Sequence, residues 1–247
     1  MNNAVSHNRV NLMSKLENGW ETSAAAWISD MGEAGDFSRR HILDAPMLAR
    51  IREKGFTRAL DVGAGEGRFC RMMRSEGLEV IGVEPTPSLH AMAQARDPSG
   101  TYVDAMAENL PFEDASFDLV VSYLTLIDID GIKEAIGEMA RVLRPGGSLL
   151  IANLNSFNTA GGWKTVPDGT RRFEIDNYLT ERAEWVSWRG ISIRNWHRPF
   201  HTYMRLLLDT GLRLVFFDEP APSGGDPEVA ARYRRSPYFH IMEWKKA

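Results

Sequence analysis

The chain predicts an α/β fold, a mostly parallel sheet wound with helices on both faces. Three observations carry that expectation. From Arg58 to Leu154 short β-like apolar runs alternate with helix-like segments. Breakers such as Pro145-Gly146-Gly147 separate the segments. The run from Phe117 to Leu124 is apolar enough for a strand buried on both faces, as parallel sheets require.

The elements follow in order. Residues 1–55 read as a helical leader. Trp20, Ala24, Trp27, Ile28 and Met31 recur at 3- and 4-residue spacings, and Ile42, Leu43, Met47, Leu48 and Ile51 form a second stripe. Strands are then expected at 58–62, 79–84, 101–104, 117–124 and 148–154, with helices at 67–76, 87–96 and 132–143 between them. After Leu154 the alternation stops. Residues 155–198, loop-like at first and then rich in aromatic and charged residues, hold four of the seven tryptophans, Trp163, Trp185, Trp188 and Trp196, and read as an inserted cap. A helix at about 199–210, a strand at 213–218, a Pro/Gly-rich loop at 219–227 and a last strand at 238–244 complete the pattern.

Composition bounds the function. The chain has 247 residues, 43% of them hydrophobic, so it can bury a core. At about 150 residues per domain the length allows one or two; a single enlarged domain over 1–247 is expected, with a leader (1–55), a core (56–154), a cap (155–198) and a C-terminal helix and hairpin (199–247). A net charge of −4 argues against a nucleic-acid footprint. The single cysteine, Cys70, excludes an intrachain disulfide or Cys-rich zinc pattern and points to a reducing, cytoplasmic setting. The polar stretch from Met1 to Gly19 lacks the apolar run of a signal peptide or membrane span. No metal site is expected, because the histidines lack ligand spacing.

The string Asp61-Val62-Gly63-Ala64-Gly65-Glu66-Gly67 follows a predicted strand and precedes a predicted helix. There glycines let a ligand approach backbone N–H groups with no Cβ in the way. Glu84 closes the second strand 21 residues after Gly63, placed to accept hydrogen bonds from two ribose hydroxyls. The spacing G-x-G-x-G departs from the dinucleotide fingerprint, whose third glycine position is Arg68 here, and Glu66 would repel a phosphate. A nucleoside ligand without phosphate fits better.

At this point the chain resembles the class I S-adenosylmethionine-dependent methyltransferases of the small-molecule, type 11-like group. The likeness runs through Asp61–Gly67, Glu84, Glu108-Asn109-Leu110-Pro111-Phe112, Phe117–Ser122 and Arg141–Gly147, and covers about residues 57–154. It implies a Rossmann-like, seven-stranded, mostly parallel sheet with an antiparallel last hairpin. The implied cofactor is S-adenosylmethionine, bound through Asp61, Gly63, Ala64, Gly65, Glu84, Pro85, Met106, Ala107, Ser122 and Tyr123. Trp27 and Arg40 join that set from the leader, which the resemblance makes a candidate lid; the alternative, of equal weight, is that Trp20 and Trp27 anchor a helix on the sheet. The chain departs from the group where relatives read Asp-Ala-Glu before Leu-Pro-Phe: here the residues are Met106-Ala107-Glu108. Methionine is a weak acceptor, so adenine recognition would fall to backbone groups and packing, unless Met106 is simply core.

Methyl transfer from a sulfonium is an in-line displacement that needs positioning and exclusion of water, not a metal or a covalent nucleophile. If the acceptor is a hydroxyl or phenol, a general base helps. His197, at the end of the insertion, is the first candidate, followed by His201 and Tyr178. The tryptophans read more readily as a cap's own small core than as an acceptor wall, and the pairs Arg171-Arg172 and Arg234-Arg235 as solvated faces. Partners are expected to be a small-molecule acceptor, with no nucleic acid and no membrane, in a monomer or homodimer. Two other classes stand beside this reading: a non-catalytic nucleoside-binding or partner protein, and a nicotinamide-dependent oxidoreductase, which the glycine spacing disfavours.

Overall fold

The computed structural model describes residues 18–52 and 54–247. The expectations for Met1 to Gly19 therefore lie almost wholly outside the described residues. Seven strands form the main sheet in the order β10-β11-β5-β4-β1-β2-β3. They are β1 (Arg58–Val62), β2 (Glu79–Val83), β3 (Thr101–Val103), β4 (Phe117–Tyr123), β5 (Leu143–Leu154), β10 (Arg213–Asp218) and β11 (Phe239–Lys245). Strands β3, β2, β1, β4 and β5 run parallel, and β11 runs antiparallel to both neighbours. Apolar side chains alternate between the faces of β4 and β5 because successive residues of a strand point oppositely. Val120, Leu149 and Ile151 pack under α5 (Ile132–Val142) and α7 (Phe200–Asp209). Leu119, Val121 and Leu150 pack under α2 (Asp44–Ala49), α3 (Arg68–Ser75) and α4 (Pro87–Arg96).

The leader is helical at α1 (Trp20–Met31) and again through a π-helical turn, Arg39–Leu43, that runs into α2. Helix α1 packs on α4 and on β9 (Ile191–His197). Glu21 caps α4 by accepting from the Ser88 N–H at 3.0 Å and hydroxyl at 2.6 Å. The Ser23 hydroxyl donates to Ser192 O and accepts from Ser192 N–H, both at 2.9 Å.

The insertion differs from the loop-like expectation for its first half. After a short helical turn, α6 (Ser156–Thr159), it forms two antiparallel hairpins, β6 (Gly161–Thr165) with β7 (Arg171–Ile175) and β8 (Arg182–Trp188) with β9. Charged residues mask the strand pattern of β7 because both of its faces are largely exposed. Helix α8 (Pro227–Arg234) was also not expected. Its signal is local: Asp226 accepts from the N–H groups of Glu228 and Val229 at 3.0 Å, and proline stands at the first helical position.

Candidate active site

The chain order β1, β2, β3 runs outward one way and β4, β5 the other, so β1 and β4 flank a topological switch point, where open α/β sheets bind ligands. A cavity of about 660 Å³ opens there, within the usual range of roughly 300–1,000 Å³ for small-molecule sites. Its floor is the glycine loop after β1. Its walls are the ends of β2 and β4, the segment 104–109, and Trp20, Trp27 and Met31 of α1.

The loop packs too closely for side chains. Gly63 has φ +80°, and a Cβ there would lie 2.2 Å from Thr125 on the loop after β4. The N–H groups of Gly63 and Ala64 both donate to Val83 O, at 2.8 and 2.9 Å, tying the loop to the end of β2. Glu84 completes this link. Its carboxylate accepts from Gly65 N–H at 2.9 Å and Thr86 N–H at 2.8 Å, in a buried position where desolvation pushes its pKa up against those hydrogen bonds.

The cavity is rich in acid. Asp61, Glu66, Glu84, Asp104, Glu108, Asp128 and Asp130 line it, against two cations, Arg39 and Arg68. Arg68 is committed to a bidentate pair with Asp44, which also accepts from the Tyr123 hydroxyl at 2.9 Å. Glu66 is ion-paired to Arg71 at 2.7 Å and Arg96 at 2.9 Å. Asp61 is different. Its Oδ2 meets the Cys70 thiol at 3.3 Å, its Oδ1 is buried with no partner among the described residues, and burial pushes its pKa up to about 7. An orphaned acidic oxygen in an acid-lined cavity suits a cationic ligand and disfavours a pyrophosphate.

Of the residues expected at the cofactor, Asp61, Gly63, Ala64, Gly65, Glu84, Pro85, Met106, Ala107, Tyr123 and Trp27 line the cavity together. Met106 is half-buried on its wall and is not a core residue. Two of the expected residues lie outside the lining. Ser122 is fully buried and lies outside the lining, because its side chain points to the sheet face opposite that of Tyr123. Arg40 is exposed, and its neighbour Arg39 lines the cavity, stacked near Trp27 and Tyr123 with centroid distances of 5.7 and 5.9 Å. The π-helical turn sets which of the two arginines faces inward, and the hydrophobic period alone does not reveal that turn.

None of the three candidate bases, His197, His201 and Tyr178, lines the cavity. His197 is buried beneath the insertion, its Nε2–H donating to Tyr178 O at 2.8 Å and its Nδ1 lying 2.7 Å from Thr159 Oγ1. The Tyr178 hydroxyl accepts from Phe200 N–H at 3.1 Å, and His201 is exposed on α7. His197 thus ties parts of the insertion to one another, and Tyr178 joins the insertion to α7. His197→Ala is expected to lower stability by about 1–3 kcal/mol, through two lost hydrogen bonds and a small cavity, while changing turnover less than about tenfold. Thermal unfolding and steady-state rates check both parts.

Residues 126–130, which sequence reasoning passed over, form the cavity wall after β4. The end of β9 and Arg198 grip this loop along its length. Trp196 N–H donates to Ile127 O at 2.6 Å, Asn195 Nδ2 to Asp128 Oδ1 at 2.5 Å, and the Trp196 indole to Asp130 Oδ1 at 2.6 Å. The buried Arg198 guanidinium donates to Leu126 O at 3.3 Å, Ile129 O at 2.8 Å and Asp130 O at 3.1 Å. A lone acid inside the apolar run Leu126-Ile127-Asp128-Ile129 was the available signal. The insertion's tryptophans do not line the cavity; Trp163 packs on Phe173, and Trp185 is 58% exposed.

Residues 60–151 match the family model described as a methyltransferase domain. Malonyl-[acyl-carrier protein] O-methyltransferase of Enterobacter lignolyticus is 36% identical over 116 residues, 47% of this chain and 46% of that protein. Demethylmenaquinone methyltransferase of Beutenbergia cavernae is 32% identical over 165 residues, 64% of this chain and 65% of that protein. The chain spans about half the length of the first of these curated relatives. Among solved structures, an S-adenosylmethionine-dependent methyltransferase from Mesorhizobium loti superposes with a TM-score of 0.75 at 25% identity, over 87% of this chain and all of the other. No helix among the described residues is long and apolar enough to cross a membrane.

Proposed function

We propose that this chain, which belongs through residues 60–151 to the S-adenosylmethionine-dependent methyltransferases, moves the methyl group of that cofactor to a small-molecule acceptor in the same cavity. The observation that carries the reading is the acid-lined cavity at the switch point, with Glu84 bonded to the glycine loop and Asp61 Oδ1 lacking a partner. When bound, the cofactor supplies an electrophilic methyl group on a positively charged sulfur.

The chain's own residues fit that ligand. Glu84 uses one lone pair of each oxygen on Gly65 and Thr86, leaving others for ribose hydroxyls. Asp61 Oδ1 would accept from an ammonium, and Arg39 would meet a carboxylate. Met106 and Ala107 would offer packing and backbone groups to adenine. Trp20 and Trp27 of α1 line the cavity and would shield a bound cofactor from water, which strengthens charge interactions there. The relatives' names support methyl transfer but differ in acceptor, so the acceptor must be argued from this chain's own wall. The mildly acidic net charge and single buried cysteine support a cytoplasmic enzyme without a nucleic-acid partner.

Titration calorimetry with S-adenosylmethionine, its demethylated product and NAD tests the reading. The first two are expected to bind and NAD is not; the reverse order would overturn the assignment. Met106→Asp is expected to tighten cofactor binding or to leave it within about 1 kcal/mol, since a carboxylate on the wall gains an adenine amino donor in exchange for methionine packing. A loss beyond about 2 kcal/mol in the same titration would place adenine elsewhere.

A further inference from the structure

We propose that Asp128 takes the proton from the methyl acceptor, and that the acceptor is therefore a hydroxyl, phenol or amine and not a carboxylate. The inference rests on the methyl-transfer reading above and deepens it. Asp128 lines the cavity on the loop that faces the glycine loop, whose Gly63 lies against Thr125. A neutral donor holds its carboxyl group: Asn195 Nδ2 at 2.5 Å. Its neighbour Asp130 is instead ion-paired to Arg194 at 2.5 Å. Asp128 is thus fixed in place without being neutralised, as a base requires.

Among the other acids of the cavity, Asp61 also has an unpartnered oxygen, which the reading above gives to the cofactor's ammonium, and Glu84 and Glu66 are engaged. Both oxygens of Glu84 accept backbone N–H groups, Glu66 is ion-paired to two arginines, and His197, His201 and Tyr178 lie outside the lining. The surroundings of Asp128 also raise its basicity. Burial, with the nearby Glu84 carboxylate, pushes its pKa up to about 8, while Trp20, Asn195 and Arg39 act in the opposite direction. A carboxylate of that basicity is matched to proton transfer near neutral pH.

The step balances. The acceptor heteroatom's lone pair forms the new bond to the methyl carbon, and the electron pair of the breaking carbon–sulfur bond returns to sulfur. The acceptor's proton passes to an Asp128 oxygen, so the cationic sulfur and the carboxylate end as a neutral thioether and a neutral acid. A carboxylate acceptor has no proton to give, so Asp128 would have no part in its methylation.

Calorimetry with two cofactor-site probes tests this without knowledge of the acceptor. The probes are S-adenosylhomocysteine and sinefungin, in which an amine-bearing carbon replaces the methylsulfonium. Wild-type protein is expected to bind sinefungin about tenfold or more tighter than S-adenosylhomocysteine, because an ammonium at the methyl position meets Asp128. That preference should grow as pH rises toward about 8, where Asp128 ionises. Asp128→Asn should reduce the preference to about twofold or less and leave S-adenosylhomocysteine affinity within about threefold; Asp128→Ser serves if the asparagine protein does not fold. Equal binding of the two probes to wild type, a preference that survives substitution, or loss of S-adenosylhomocysteine binding in both variants would overturn the assignment. If neither probe binds wild type, the cofactor reading itself fails.

Discussion

Replacing Arg198 with methionine is expected to lower stability by about 3–5 kcal/mol and to reduce methyl transfer more than about tenfold. The side chain is 1% exposed, and its guanidinium is the donor for three carbonyls of the loop that carries Asp128. It also pairs with Glu181 at 2.9 Å and stacks on Trp196 at 4.4 Å. Methionine fills much of the volume but donates nothing, so the carbonyls of Leu126 and Ile129 lose their Arg198 donor inside the fold, while Asp130 O keeps the Ile132 N–H at 3.0 Å. Much of the stability cost comes from those carbonyls, because Glu181 is 42% exposed and rehydrates when its partner is gone. The loop is then free to shift, and a displacement of about 1 Å at a catalytic wall has a large kinetic cost. Urea unfolding reads the first effect. The second should appear in kcat with little change in affinity for S-adenosylhomocysteine, since the glycine loop and Glu84 do not touch Arg198. Near-wild-type stability in this variant would mean that water replaces the guanidinium.

Glu84→Ala is expected to weaken binding of S-adenosylmethionine by about 1.5–3 kcal/mol, roughly tenfold to a hundredfold or more. Two losses combine. The ribose would lose charge-assisted hydrogen bonds, and the N–H groups of Gly65 and Thr86 lose the acceptor that joins the glycine loop to the end of β2. Glu84→Gln separates them, because the amide oxygen still accepts one N–H while the charge is gone. Calorimetry should rank wild type above Gln and Gln above Ala; unchanged affinity in the alanine protein would put the ribose elsewhere.

The local patterns of the chain were sufficient for the core. Alternating runs located β1, β2, β4 and β5 and the helices between them, because a buried parallel sheet needs continuous apolar strands and one-sided helices. The glycine string and Glu84 were legible for the same reason. Their roles depend on backbone conformation and on one carboxylate at a strand end, and both are written within about one βαβ unit. Met106 could be placed beside the site by its position before Leu110-Pro111-Phe112, although its half-buried place on the wall came from the structure.

What the sequence by itself determined, then, is the alternation of strands and helices and the glycine loop with Glu84, set by short-range periodicity and turn chemistry, while the seven-stranded sheet with its antiparallel hairpin was implied by the resemblance. Tertiary structure alone decided the cavity wall after β4. Asn195, Trp196 and Arg198 meet residues 126–130 across about seventy positions of chain, as hydrogen-bond separations of 67 for Asn195–Asp128 and 72 for Arg198–Leu126 show. It also turned His197 away from the cavity by engaging both ring nitrogens, and chose Arg39 over Arg40 through one π-helical turn. The physical reason is common to all three. Which way a polar side chain faces is set by partners brought close only when the chain folds, and no spacing rule along the sequence encodes them.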